Sequence, residues 1–270
     1  MTIGSTIMQQ TLGSYPGETF PQAMARAIAD SNWLAGIEHV QLCPQNRGVL
    51  DDQTLAELKR MAPNTHFRLH ANVHVPGSAL RNFEAINDSA EAKRYYKCIA
   101  AVNLALGNPH YSLHAGRRAG GTLKDLWGRL RNLSDLMGTR VGVEGLYPTH
   151  GSMFLIDSWE EYAQLLRSGV DFAIDLSHLN IVARRSRRIE LTLTRELLAS
   201  SHLIEVHVSG NNGYADSHVP LRLCGTQWWE KALAAINPDA VVFYEGNEVR
   251  TPEQTRRVMG FAPEFEAPIT

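Results

Sequence analysis

Short runs rich in β-branched and aromatic residues alternate with amphipathic stretches from one end of the chain to the other. The strand-like runs are TIGSTIM (2–8), GIEHVQL (36–42), FRLHANVHV (67–75), YSLHA (111–115), RVGVEG (140–145), DFAIDL (171–176), IEVHVS (204–209) and AVVFYEG (240–246). Apolar residues recur at helical spacing in PQAMARAIADSNW (21–33), DDQTLAELKRMA (51–62), SAEAKRYYKCIAAVNLAL (89–106) and TLKDLWGRLRNLSDLM (122–137). The same spacing returns in SWEEYAQLLRSG (158–169), LTRELLASS (193–201), QWWEKALAAI (227–236) and TPEQTRRVMG (251–260). Strand–helix alternation predicts a parallel sheet, because each return to the sheet needs a crossover. Eight such units predict an α/β fold closed into a single (β/α)8 TIM barrel. No linker, low-complexity tract or composition shift interrupts the pattern, so residues 1–270 are predicted to form one domain.

Polar residues fall at the ends of these strands. His70 and His74 lie in or just after the third, and His114 ends the fourth. Glu144 ends the fifth, Asp175 the sixth, His207 the seventh and Glu245 the eighth. A lone strand carboxylate reads equally as an interior ion pair, and a lone histidine as a satisfied core residue. Six consecutive strands ending alike are not explained that way. In a parallel barrel the strand C-termini open on one face, so residues far apart in sequence converge on one mouth.

Composition narrows the chemistry. Apolar residues make up 44% of the 270, enough for a sizeable core. With 26 basic and 28 acidic residues the formal net charge is −2, which leaves no electrostatic footprint for nucleic acid. The one basic cluster, ARRSRRIE (183–190), is short and reads as a solvated loop, with an anionic-substrate or peptide dock as the alternative. Three cysteines, Cys43, Cys98 and Cys224, follow no CxxC spacing and read as packing residues of a reduced, cytoplasmic protein. The N-terminus carries no secretory pattern, and no run reaches the roughly 18 apolar residues of a membrane span. The partner expected is a small-molecule or peptide substrate, not nucleic acid or membrane, and the oligomeric state stays open.

Imidazoles and carboxylates at one mouth suit divalent ions such as Mn, Fe, Co and Zn. Asp175 is followed by His178, a loop imidazole able to bend toward the same cavity. The turn after His207 adds Asp216 and His218, two apart and so on one side of an extended loop. The candidate ligands are His70, His114, Glu144, Asp175, His178, His207, Asp216, His218 and Glu245. Nine exceed the four or so that one ion takes, which points to two or three ions, though orienting roles can absorb part of the surplus.

Strand-end His, His, Glu, Asp-x-x-His, His, Asp-x-His and Glu, in that order over about residues 67 to 250, resemble the superfamily of xylose-isomerase-like barrels that includes endonuclease IV. Three chemistries are implied: one-metal sugar isomerases and epimerases, three-metal DNA-repair endonucleases, and multinuclear non-haem iron oxidative enzymes that modify peptides. RLHANVHVPGSA (68–79), YSLHAG and IEVHVSG…DSHVPL…WWEKAL are similar to segments of the last group, although Gly145 stands where that group has Asn after the glutamate. This implies a two- or three-iron oxidative enzyme acting on a peptide or small nitrogen-containing substrate, with His70 the third-strand ligand and His74 its neighbour. The resemblance to isomerases implies instead one divalent ion with Glu144 and Glu245 as the proton-shuttling catalytic pair. The endonuclease reading shares all nine ligands, and the near-neutral charge argues against it. Arg117 and Arg118, in HAGRRAGG beside His114, are candidates to clamp an anionic substrate, with plain surface charge as the equal alternative. Trp228 and Trp229 read as residues packing a helix on the barrel.

Overall fold

The first predicted strand is where the structure departs furthest from the pattern. In the computed structural model, which describes residues 2–30, 37–78, 83–151, 153–249 and 251–259, the run 2–8 is not a barrel strand. It is an antiparallel pair, β1 (Thr2–Ile3) with β2 (Thr6–Ile7), turning at Gly4 with φ +59°. The barrel strand is the next segment, β3 (Gln9–Thr11), three polar residues that are all buried. Gln9 Oε1 accepts the backbone N–H groups of Glu38 at 3.1 Å and His39 at 2.9 Å, and Thr11 Oγ1 meets Cys43 Sγ at 2.8 Å. A strand whose buried side chains are amides and a hydroxyl has no apolar period to read.

The other barrel strands fall within or beside their predicted runs, although the third ends at Leu69, six residues short of its predicted end at 75. They are β4 (His39–Leu42), β5 (His66–Leu69), β6 (His110–His114), β7 (Arg140–Glu144), β8 (Phe172–Asp175), β9 (Leu203–Val208) and β10 (Val241–Tyr244). Among the described residues these seven and β3 form one parallel sheet in the order β5-β4-β3-β10-β9-β8-β7-β6. The gap between β5 and β6 is closed by a parallel bridge of His70 with Ser112, and Ala71 N–H donates to Ser112 O at 2.8 Å. A candidate site residue therefore sits on the closing seam. Gly36, residues 31–33 of the first predicted helix, and positions 79 and 260 lie outside the described residues.

The helices are α1 (Phe20–Ala29), α2 (Asp52–Met61), α3 (Ala90–Ala105), α4 (Leu123–Met137), α5 (Trp159–Arg167), α6 (Leu176–Ser186), α7 (Leu191–Ala199) and α8 (Pro252–Met259). Side chains start several of them: Thr19 and Gln22 form a capping box on α1, and Thr122 and Asp125 do so on α4. On α4, Leu126, Leu130, Leu133 and Met137 recur on one face, and all are buried. Burying each leucine contributes about 1.5–3 kcal/mol. The predicted helix 227–236 is a 3-10 helix, Trp228–Ala235. Its Trp229 is wholly buried, while Trp228 Nε1 donates to Asn180 Oδ1 at 3.1 Å, as expected of packing residues. No helix among the described residues is long and apolar enough to cross a membrane.

Helix α6 takes in 183–186 of the stretch read as a loop, leaving 187–190 to connect it to α7, and corrects the reading of His178 as a loop imidazole. Asp175 caps it, Oδ1 accepting from Ser177 N at 2.6 Å and His178 N at 3.3 Å, so His178 sits in the first helical turn. Leu176, Leu179, Val182 and Ala183 bury the inner face, and Arg187 ends the helix in the left-handed region at φ +53°. Arg184 and Arg185 each hold a guanidinium 5.2 Å from the Tyr214 ring.

Candidate metal centre

At the mouth, β7 ends by burying Glu144 among imidazoles from four other elements. Glu144 Oε2 lies 3.2 Å from His207 Nδ1 on β9, 3.5 Å from His70 Nε2 after β5 and 3.9 Å from His114 Nε2 on β6. Its Oε1 lies 3.3 Å from His178 Nδ1 in α6, a nitrogen that also lies 2.9 Å from Gly145 O. On the far side, His207 Nδ1 is 3.6 Å from Glu245 Oε1 at the end of β10. Three groups of ligand atoms come within 4.8 Å of one another: His70, His207 and Glu245; His70, His114 and Glu144; and Glu144, Asp175 and His178. Glu144 is common to the last two.

The segment after β9 adds a lobe beside this cluster. Gly210 and Val219 exchange backbone hydrogen bonds at 2.8 and 2.7 Å, folding the intervening loop back on itself. Asp216 and His218 converge through that closure and not through an extended strand, since His218 is left-handed at φ +44°. Asp216 Oδ2 lies 3.0 Å from His218 Nε2 and 3.3 Å from His178 Nε2. His218 Nδ1 reaches back to Glu245 O at 3.1 Å. A small cavity of about 70 Å³ opens here, lined by Thr11, Gly13, Cys43, Gln45, His218 and Glu245.

Four carboxylates and five imidazoles in one partly closed space make a strongly cation-seeking site. Burial opposes ionisation of Glu144, but His207, His114 and His70 outweigh it and hold the carboxyl well below the usual range. Burial pushes Glu245 up to about 7, with Asp175 and Glu144 adding to it and His207 and His218 opposing. Burial likewise raises Asp175. Burial opposes protonation of His207 and His178, yet the surrounding carboxylates raise both well above the ordinary imidazole value. His218, also against burial, is pushed up to about 9 by Asp216 and Glu245. His70 alone goes down, to about 3, because burial outweighs its carboxylate neighbours. Protons held this tightly mark where positive charge is wanted, and a divalent ion bound there would displace them.

The buried atoms test the fit. Glu144 Oε2 and His207 Nδ1 are both buried without a hydrogen-bond partner, and a carboxylate oxygen facing a ring nitrogen in this way suits a cation between them once the imidazole gives up its proton. The structure thus brings all nine predicted residues into two adjoining groups. It does not bring the predicted substrate-binding residues with them. His74 joins none of the three ligand groups, and the third-strand imidazole at the mouth is that of His70. Arg118 pairs with Asp157 at 2.7 Å and with Glu161 at 2.7 Å, and Arg117 lies exposed with its guanidinium 6.0 Å from the Phe154 ring. These contacts place Arg117 and Arg118 at the surface, outside the three ligand groups.

Sequence reading missed a polar layer under the mouth. Glu205, Arg68, Gln41 and Ser112 are buried and bonded to one another across the barrel. The signal was the Glu205-x-His207 spacing, two positions on one face of a strand. Also unforeseen is the Tyr147 ring, 4.8 Å from that of His178. Gly145, the departure after Glu144, has a packing cause: a Cβ there would run into the Tyr162 ring, whose hydroxyl donates to Leu146 O at 2.8 Å. The cysteines are all free, Cys43 buried and Cys98 and Cys224 half-buried.

The family model described as xylose isomerase-like TIM barrel matches residues 26–263. No curated protein matches the chain by sequence. Among solved structures, a D-tagatose 3-epimerase-like protein is 14% identical over 94% of this chain and 96% of its own, with a TM-score of 0.65. D-allulose 3-epimerase from Methylomonas sp., solved in complex with D-allulose, is 14% identical over 94% of this chain and 88% of its own, with a TM-score of 0.62. An AP endonuclease of family 2 from Brucella melitensis is 16% identical over 92% and 96%, with a TM-score of 0.58. At these identities the likeness is one of fold.

Proposed function

The chain belongs to the xylose isomerase-like TIM barrel family, and from that premise we propose that it is a metal-dependent isomerase or epimerase of a hydroxylated carbonyl compound, a sugar or keto acid. The observation that carries this reading is the pair Glu144 and Glu245. They end strands β7 and β10, flank His207 Nδ1 at 3.2 and 3.6 Å, and have proton affinities shifted in opposite directions. Two carboxyl groups pushed apart in this way are suited to acid and base roles. The epimerases among the similar structures support the same choice. The multinuclear iron reading draws no support from the relatives found.

Glu144, Asp175, His207 and Glu245 would hold a divalent ion. Bound there, the ion would polarise a substrate carbonyl and make the adjacent C–H more acidic. Glu144, held ionised, takes the proton from that carbon. Glu245, whose proton affinity lies near neutrality, delivers a proton to the opposite side. Asp175 is fixed for its part by the α6 backbone, which occupies Oδ1 and leaves Oδ2 free toward His178.

The test is to load the protein with Mn or Co and incubate it with ketohexoses and keto acids in deuterated water. Deuterium entering next to the carbonyl, with exchange lost in Glu245→Gln, is the expected result. No exchange with any of them by metal-loaded protein would overturn the proposal.

A second reading, phosphodiester hydrolysis, has one observation in its favour. His178, Asp216 and His218 form a ligand-competent lobe that a single ion at Glu144 does not use. Metal stoichiometry separates the two: one ion per chain favours epimerisation, whereas three ions with cleavage of bis(p-nitrophenyl) phosphate favour hydrolysis.

A further inference from the structure

One carboxylate touches two of the candidate ligands from beneath the mouth. Glu205, on β9, is fully buried, and Arg68 Nη1 holds its Oε1 at 3.2 Å. Its Oε2 accepts the Ser112 hydroxyl at 2.6 Å and lies 3.4 Å from His207 Nε2. The Ser112 oxygen in turn lies 2.9 Å from His70 Nδ1.

An ionised carboxylate can only accept. Ser112 has one proton, and it goes to Glu205, so the serine oxygen faces His70 as an acceptor. His70 therefore donates from Nδ1, and its lone pair is left on Nε2, the atom 3.5 Å from Glu144 Oε2. His207 meets the same carboxylate directly, by Nε2. In the neutral ring, the form that can bind a cation, its proton belongs there and its lone pair is on Nδ1, the buried atom that faces Glu144 and Glu245. Gln41 Nε2 stands 2.9 Å from His207 Nε2 and 3.2 Å from Glu205 Oε2; a half-turn of that amide presents its oxygen to the ring N–H and gives up its donation to Glu205, whose Oε2 keeps Ser112 and His207 as donors.

We infer that Glu205 is a positioning residue that sets the proton on both His70 and His207, and thereby aims one lone pair from each imidazole into the mouth. The two rings take opposite tautomers because one meets the carboxylate directly and the other through a hydroxyl. The loop contributes nothing to this; the relay spans β5, β6 and β9 inside the barrel. The consequence for metal affinity rests on the metal-dependent function proposed above, whereas the tautomers themselves do not.

The ring-nitrogen chemical shifts of protein labelled with 15N-histidine test it. In the parent, His70 should carry its proton on Nδ1 in both metal-free and zinc-loaded protein, and zinc-loaded His207 should carry its proton on Nε2. Ser112→Ala should release His70 alone into a mixture of tautomers. Arg68→Met combined with Glu205→Gln, which avoids stranding a buried guanidinium, should release both and weaken zinc binding in a chelator competition by about 10–100-fold. His70 protonated on Nε2 in the parent, or unchanged by Ser112→Ala, would overturn the inference even if the double variant does not fold. Tautomers that shift as expected while zinc affinity stays constant would uphold the relay and count against the two histidines as ligands.

Discussion

Glu144 Oε2 and His207 Nδ1 face each other at 3.2 Å in the mouth of the barrel, both buried and neither aligned for a hydrogen bond. A buried polar atom left without a partner costs about 1–3 kcal/mol, and a carboxylate oxygen facing a ring nitrogen across one mouth makes a site suited to hold something between them. A cation satisfies both at once.

Removing either atom should therefore remove the ion. Glu144→Gln and His207→Ala are each expected to weaken Mn or Co binding by more than about 100-fold, beyond the effect of losing a residue that merely supports a ligand. Equilibrium dialysis with elemental analysis checks this. Full occupancy retained in both variants would contradict it.

The acid–base roles predict a separate loss. General acid–base catalysis is worth about 10²–10⁴-fold, so Glu245→Gln should lower turnover by at least that range on any substrate the parent accepts. Proton exchange from the substrate carbon into solvent, followed by NMR, should fall by the same factor.

The Asp216–His218 pair predicts how metal-free stability changes with pH. The His218 pKa is raised to about 9 by Asp216 and Glu245 acting against burial, compared with 6.5 for a free imidazole. A raised imidazole pKa stabilises the fold fully below about 6.5, and the contribution is lost as pH rises through about 9. The melting temperature of metal-free protein should accordingly fall between those values, and fall less steeply in Asp216→Asn. Zinc, which needs the neutral imidazole, should reverse the trend by binding more tightly as pH rises. Identical thermal scans across this window for parent and variant would refute the assignment.

Gly145→Asn, which restores the residue expected after the glutamate, should destabilise the protein. The new side chain would meet the Tyr162 ring, and overpacking of that kind costs about 1–3 kcal/mol. Urea unfolding should show a lower midpoint with an unchanged slope.

The sequence by itself determined the architecture and the direction of the site. Seven barrel strands and their strand-end histidines and carboxylates stand close to where period and turn signals put them, because alternation and amphipathic spacing are local consequences of which face is buried. Where burial is polar, the same reasoning went blind. β3 is written as Gln9, Gln10 and Thr11, and the apolar-looking TIGSTIM beside it proved to be a hairpin. Helix α6 was hidden because its cap, Asp175, and its first-turn histidine look like two more site residues. Only the tertiary structure put His70, and not His74, among the grouped ligand atoms, tied Arg118 to Asp157 and Glu161, and revealed Glu205 as the group joining His70 to His207. Those outcomes depend on distances between residues as many as 93 positions apart, and such distances exist only once the sheet has closed on itself.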